Sequence, residues 1–331
     1  MGASGTPPSE HVGAIDRLRE SDAWRDVIEG ETGRRVRELT RRTPVIEGPS
    51  GVLVKAEGLQ RTGSFKARGA VAKLATLGPD RGVVTASAGN HGLGVAYAAR
   101  ALGLRATVVV SEMAPDVKRR GIEALGARLL VHGSGYDEAE ARARELAEGD
   151  AVFVSGFDDE HVILGNGGTT ALELSEQLGG LGPRDLVLIP VGGGGLASGI
   201  GAVLAGSGAR LVGVEPESNR AMHVSFAEGE ARTSYPEGGP TLAEGLEGSV
   251  AERPFELCRE ALQEILLVSE DGIRSAIARA FVELGLIVEP SAAVSLAAVW
   301  DGAAAADGGR IVCIATGSNI DPDLLDDCLR G

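Results

Sequence analysis

The 331-residue sequence contains no run of about 18 apolar residues, so no transmembrane helix is expected. Its first twenty residues mix polar and charged side chains, and no secretory signal is expected there. Basic charge is in deficit. The formal net charge of −15 argues against nucleic acid or an anionic membrane surface as the main partner. Cysteine is scarce, with only Cys258, Cys313 and Cys328. They are odd in number and lack the paired C-x-x-C spacing of a zinc or redox site, which suits reduced thiols in the cytoplasm. Proline is sparse too, 14 residues against 49 glycines. The glycines cluster after apolar runs, a pattern that serves tight turns and close backbone approach to a ligand. With 43% apolar and 24% charged residues, the chain reads as folded and globular, in one large domain or two modest ones.

Residues 1 to about 45 are charged and arginine-rich, with weak helical periodicity, and read as a surface helix and lead-in arm. From residue 51, apolar runs alternate with amphipathic stretches. Strands are expected at 51–57, 82–87, 105–111, 127–132, 151–155, 185–191, 210–215, 265–269 and 310–316. Helices are expected between them, one over 64–77 with Ser64 as a candidate N-cap. Wholly apolar strands separated by helices specify parallel sheets covered on both faces, the α/β class. Ligands in such folds sit at the carboxyl ends of strands, so the segments just after each strand are the ones to examine.

Four such segments can carry chemistry. The first is Val191 to Ala197, where four consecutive glycines open a helix. Unobstructed backbone N–H groups and the helix dipole favour an anion there, as in a phosphate nest. The same stretch satisfies a dinucleotide template through Gly192, Gly194 and Ala197, with Glu215 as the ribose acid, which keeps a nicotinamide-dependent dehydrogenase open. The second is Gly63 to Ala70. Lys66 stands there among small and apolar residues, where desolvation would free its amine as a nucleophile. It competes with a snorkelling surface lysine, and Phe65 with a plain core residue. The third is Ser87 to Gly92. Asn90 is either a helix cap or part of a polar clamp with Ser87 for a carboxylate or phenolic oxygen, and His91 suits a structural hydrogen bond. The fourth is Ala315 to Asn319, where Thr316 can offer a hydroxyl to a ligand or simply form a turn.

Taken together, TGSFKARGA (Thr62 to Ala70), SAGNHG (Ser87 to Gly92), VGGGGL (Val191 to Leu196) and ATGSN (Ala315 to Asn319) resemble fold-type II pyridoxal-phosphate enzymes. TLAEGLEG from Thr241 and EPSAA from Glu289 fit the same family, in its threonine/serine dehydratase branch, which also contains serine racemase. The resemblance runs from about Arg42 to Asp321. It implies two parallel-sheet domains of the tryptophan synthase β-subunit type. A large cofactor-binding domain would span 1–78 and 161–331, and a small mobile domain with the asparagine loop 79–160. Lys66 would hold the cofactor aldehyde as a Schiff base and then act as base at Cα. Phe65 would pack near the ring. Gly192, Gly193, Gly194, Gly195 and Leu196 would cradle the phosphate. Asn90 would bond the ring hydroxyl, and Ser87, Ala88, Gly89, Asn90 and His91 would receive the substrate carboxylate. Thr316 would face the pyridine nitrogen, with Gly245 by the ring and Glu289 near its nitrogen edge.

The implied activity is an ammonia-lyase that eliminates water from L-threonine, L-serine or a related β-hydroxy amino acid, in a cytoplasmic homodimer or homotetramer. A hydroxyl at the ring nitrogen holds positive charge less well than an aspartate, which favours expulsion of the β-substituent. Racemase, hydroxyectoine-type dehydratase and β-replacement chemistry are alternatives within the family. Ala88 stands where racemases of this branch carry a second serine, which counts against a two-base racemase. The branch's divalent-metal pair would need an acid at Ala221 beside Glu215, so no metal is expected. The stretch Gly165-Asn166-Gly167-Gly168-Thr169 departs from the family's Gly-Gln-Gly-Thr and is expected to alter the substrate side of the pocket. No regulatory domain is expected after Asp321.

Overall fold

The ten strands found among residues 12–331, the part of the chain that the computed structural model describes, form two sheets. They are β1 (Val45–Glu47), β2 (Val52–Ala56), β3 (Gly82–Ala86), β4 (Arg105–Val110), β5 (Arg128–Val131), β6 (Ala151–Phe153), β7 (Leu186–Pro190), β8 (Arg210–Pro216), β9 (Glu264–Val268) and β10 (Ile311–Ala315). The larger sheet has the order β1-β2-β10-β7-β8-β9, the smaller β5-β4-β3-β6. Only β1 runs antiparallel to its neighbour. β7 is buried at all five positions, and β10 at the four from Val312 to Ala315. Both are apolar throughout because helices cover both faces of their sheet.

β10, late in the chain, lies between β2 and β7. An isolated bridge joins Ser64 to Gly317, and the Phe65 N–H donates to the Thr316 carbonyl at 3.1 Å. The end of β10 is thereby tied to the start of the helix Lys66–Ala75.

The N-terminal arm differs from the surface helix expected of it. Helices Ala14–Glu20 and Glu31–Leu39 flank an α-helical turn, Asp22–Trp24, that runs into a π-helical one, Arg25–Glu29, and Ile15, Leu18, Val27 and Val36 are buried in one core with Val71, Val83 and Val108. Arg19 donates to the carbonyls of Ala202 and Ala205, both at 2.8 Å, satisfying the C-terminal end of the helix Gly195–Leu204. Arg19 is thus used inside, and the few apolar positions of the arm carry the packing.

A buried charge cluster joins three elements. Lys55 on β2 donates to the Thr43 carbonyl at 2.8 Å, to Glu173 at 2.9 Å and to Gln177 at 2.9 Å. Arg68 forks onto Glu57 at 2.8 and 2.9 Å and onto Glu173 at 2.8 Å through two nitrogens. Lys55, Glu57 and Arg68 are fully buried. Burial raises the cost of Glu173's charge, but hydrogen bonds from Arg68 hold its carboxyl below the usual range. The cluster fixes the Lys66–Ala75 helix against β2 and the helix Thr169–Leu178, and paired charges of this kind are costly to break singly. Among the described residues no helix is long and apolar enough to cross a membrane.

Candidate active site

Lys66 is the first residue of its helix, and no side chain caps that end. Ser64, the expected cap, has a buried hydroxyl with no partner among the described residues. A distant residue anchors the helix instead. Asn166 accepts from the Gly69 N–H at 2.8 Å. Asn166 is buried within a π-helical turn, Leu164–Gly168, and a Cβ at Gly69 would fall 2.6 Å from its side chain. The Gly-Asn-Gly-Gly stretch therefore packs against the lysine helix.

The Lys66 amine donates to the Gly156 carbonyl at 2.8 Å and lies 5.1 Å from the centre of the Phe65 ring. Burial lowers its pKa to about 8, against the opposing pull of Glu289. His91 meets the Val154 carbonyl through Nε2 at 3.0 Å. Burial and then the nearby Lys66 charge pull the imidazole down to about 4. The ring is therefore neutral at pH 7, and Nε2, facing a carbonyl, carries its proton. A Cβ at Gly156 would stand 3.3 Å from His91 and 3.6 Å from the Lys66 amine, so Gly156 is wedged between the two.

The segment Ser87 to His91 joins β3 to the helix Asn90–Leu102. Ser87 Oγ accepts from the Gly89 N–H at 3.1 Å, and a Cβ at Gly92 would collide with the Ser87 carbonyl at 2.2 Å. The loop closes tightly, and no side chain caps the helix, leaving its N-terminal end open to an anion. Ala88 packs half-buried against the core. Asn90 is not a cap. Its Nδ2 donates to Glu289 at 2.8 Å, and its Oδ1 accepts from Asn319 at 2.6 Å. Glu289 accepts from Asn90 and from the Asn319 N–H. Burial raises its carboxyl pKa, opposed by these hydrogen bonds.

Beyond β7 the chain runs through the four glycines. Gly194 has φ of +88°, a left-handed conformation that favours glycine. A Cβ at Gly192 would lie 2.9 Å from the Leu246 backbone, and one at Gly193 2.8 Å from the Phe157 ring. The helix Gly195–Leu204 opens from this loop with no side-chain cap, and Leu196 is buried at its first turn. Bare N–H groups at a helix start fit a phosphate. Together with a buried amine they fit an aldehyde cofactor that carries one. Thr316 is buried at the end of β10, and the Gly245 N–H is held by Ser291 Oγ at 3.0 Å.

Glu215 has a different task from the ribose acid of the dinucleotide template. It is buried, and its two oxygens accept from the N–H groups of Met222 and His223 at 2.9 and 2.7 Å, capping the helix Ala221–Glu228. Cys258, Cys313 and Cys328 are free thiols. Asn319 stands in a recognised motif but received no role from the sequence.

A buried lysine amine at one helix start, a bare glycine loop at another and an amide held at a third are the parts that a pyridoxal-phosphate enzyme of the two-sheet type requires. Residues 36–317 match the family model described as pyridoxal-phosphate dependent enzyme, and the chain belongs to that family. The dehydrogenase alternative falls with that finding. An L-threonine ammonia-lyase of Thermotoga maritima is 38% identical over 285 residues, 83% of this chain and 69% of that protein. The processed form of threonine deaminase isoform 2 from Solanum lycopersicum superposes with a TM-score of 0.84 at 32% identity, covering 95% of this chain and 93% of the other. Serine racemase from Dictyostelium discoideum does so with a TM-score of 0.80 at 31% identity, covering 90% and 98%.

Proposed function

We propose that this enzyme is an ammonia-lyase that removes water from L-threonine, L-serine or a related β-hydroxy amino acid, giving a 2-oxo acid and ammonia. The observation that carries this reading is the Lys66 amine. It is held by a carbonyl rather than a carboxylate, with its pKa drawn to about 8. An amine so placed is available uncharged near neutral pH, as a base at Cα must be.

The other residues have distinct tasks. The cofactor, when bound, supplies an electron sink for the charge left at Cα. Gly192 to Gly195, with Leu196, would hold its phosphate on backbone N–H groups, and Phe65 would pack near its ring. Asn90 would donate to the ring oxygen, and Thr316 would offer a hydroxyl at the ring nitrogen. The open helix end at Ser87 to His91 binds the substrate carboxylate, and neutral His91 adds no charge that would compete for it. Lys66 takes the Cα proton onto its Nζ, and Gly156 keeps that nitrogen in place. The segment 79–160, which carries the smaller sheet, moves as a unit over the amine. The exposed pair Lys118–Glu244, 2.8 Å apart, links that segment to the loop beside Gly245. The assembly is a cytoplasmic homodimer or homotetramer, a setting that suits the free thiols.

Structural likeness to a serine racemase favours a second reading, racemisation, but the position after Ser87 is Ala88 and supplies no second acid or base. Release of 2-oxo acid across a panel of β-substituted amino acids separates these readings. Turnover of L-threonine or L-serine to 2-oxo acid is expected. Racemisation without 2-oxo acid overturns the proposal.

A further inference from the structure

Four hydrogen bonds close a ring around Asn90. Asn319 Nδ2 donates both to the Thr62 carbonyl at 2.8 Å and to Asn90 Oδ1 at 2.6 Å. Asn90 Nδ2 donates to Glu289 Oε1 at 2.8 Å, and the Asn319 N–H donates to Glu289 Oε2 at 3.2 Å. Two glycines make room for it. A Cβ at Gly63 would stand 2.3 Å from Asn319 Oδ1, and one at Gly317 would stand 2.4 Å from Glu289 Oε1.

The ring settles which way the Asn90 amide faces. An isolated asparagine amide can turn over, exchanging donor and acceptor at little cost. Here a donor, Asn319, occupies the oxygen side, and an acceptor, Glu289, the nitrogen side. Both hydrogens of Asn319 Nδ2 are spent, so it cannot serve Asn90 in any other sense. One hydrogen of Asn90 Nδ2 goes to Glu289, and the second is left over.

We propose that Asn319 and Glu289 are positioning residues that lock the Asn90 amide with its remaining N–H directed at the cofactor's ring oxygen. The lock spans both sheets. Asn90 follows β3 of the smaller sheet, whereas Thr62, Glu289 and Asn319 belong to segments packed on the larger one. The inference rests on the reading that Asn90 meets the ring oxygen.

The test uses full-length protein and pyridoxal phosphate, reading the cofactor dissociation constant, the visible spectrum against pH, and the melting temperature without cofactor. Asn90→Ala tests the underlying reading. It should weaken cofactor binding roughly ten- to a hundredfold, the loss of one hydrogen bond to a charged oxygen, and shift the spectral titration. An unchanged spectrum there removes the reading itself. Asn319→Asp puts an acceptor against Asn90 Oδ1 and should cause a loss of similar size, larger than that of Asn319→Ala. The double variant Asn319→Asp with Glu289→Gln inverts the two side-chain bonds to Asn90, offering an acceptor where the donor was and a donor where the acceptor was, while the Thr62 carbonyl loses its donor in the single and the double variant alike. If the ring is purely structural, the double variant recovers from the Asn319→Asp level in every measurement. An orientation lock recovers from that level in melting temperature only, because Asn90 is now held with its oxygen toward the ring. Recovery of cofactor affinity and spectrum in the double variant overturns the proposal, as does an Asn319→Asp enzyme indistinguishable from the parent while Asn90→Ala is impaired.

Discussion

Lys55 and Lys66 stand eleven positions apart on either side of one turn, and burial pulls both amines down from their ordinary pKa. Their surroundings differ in kind. Lys55 sits in a closed shell of a carbonyl, an amide oxygen and a carboxylate, with Glu57 a further 4.0 Å away. Lys66 has one carbonyl and the distant influence of Glu289. Opposite charge at close range holds the first amine in its charged, structural state. Its absence leaves the second able to give up its proton. The comparison teaches that burial alone does not mark a reactive lysine; the lack of a contacting carboxylate does.

The largest effect expected is at the reactive member. Lys66→Ala should lower 2-oxo acid release by about a thousandfold or more, with the melting temperature of the cofactor-free protein unchanged. Retained turnover would break the comparison at once. The converse should hold for Lys55→Met, which strands Glu57 and Glu173 beside Arg68. Chemical denaturation should show a loss of about 3–5 kcal/mol. A loss below 1 kcal/mol, about the worth of an exposed pair, would mean that the cluster does not secure the lysine helix. Gly156→Asp would make Lys66 resemble Lys55. A Cβ there stands 3.6 Å from the amine, and a carboxylate on it should raise the amine's pKa toward 10.5 and slow turnover roughly ten- to a hundredfold at neutral pH, with partial recovery in alkali.

Glu215 extends the comparison to a buried acid satisfied only by backbone N–H groups. Burial pushes its carboxyl up to about 8, from 4.5 when free. The folded chain keeps this proton where the unfolded chain has lost it. Its stabilising contribution is therefore complete below pH 4.5 and drains away as pH rises to 8. The slope is at most about 1.4 kcal/mol per pH unit, the value for one proton. Glu215→Gln should flatten it, and denaturation midpoints that fall equally with pH in both proteins would show that Glu215 is already ionised.

The α/β class, nine of the ten strands and the segments around Lys66 and Gly192 are readable because those signals are local: short apolar runs, clustered glycines, a lysine in an apolar setting. The packing of the N-terminal arm is not legible because Ile15, Leu18, Val27 and Val36 are diluted by arginines, one of which, Arg19, finds its internal partners about 180 residues onward. Ser64 looked like a cap, yet Asn166 serves the helix from 97 positions away. The orientation of Asn90 was not legible at all, since its partners are 199 and 229 residues distant and nothing in the local pattern announces them. What sequence carries well is the identity of a segment; what it omits is which remote segments close on it.

The position of β10 bears on how the molecule is made. This strand fills the gap between β2 and β7, and the turn after it fastens the Phe65 and Ser64 backbone. A growing polypeptide on the ribosome therefore has its reactive nitrogen translated early but unsupported, until Ala315 and the residues just after it emerge. Such distant pairings are slow to form. Vitamin capture should accordingly follow synthesis rather than accompany it, and a nascent chain halted before β10 would be unable to retain the coenzyme.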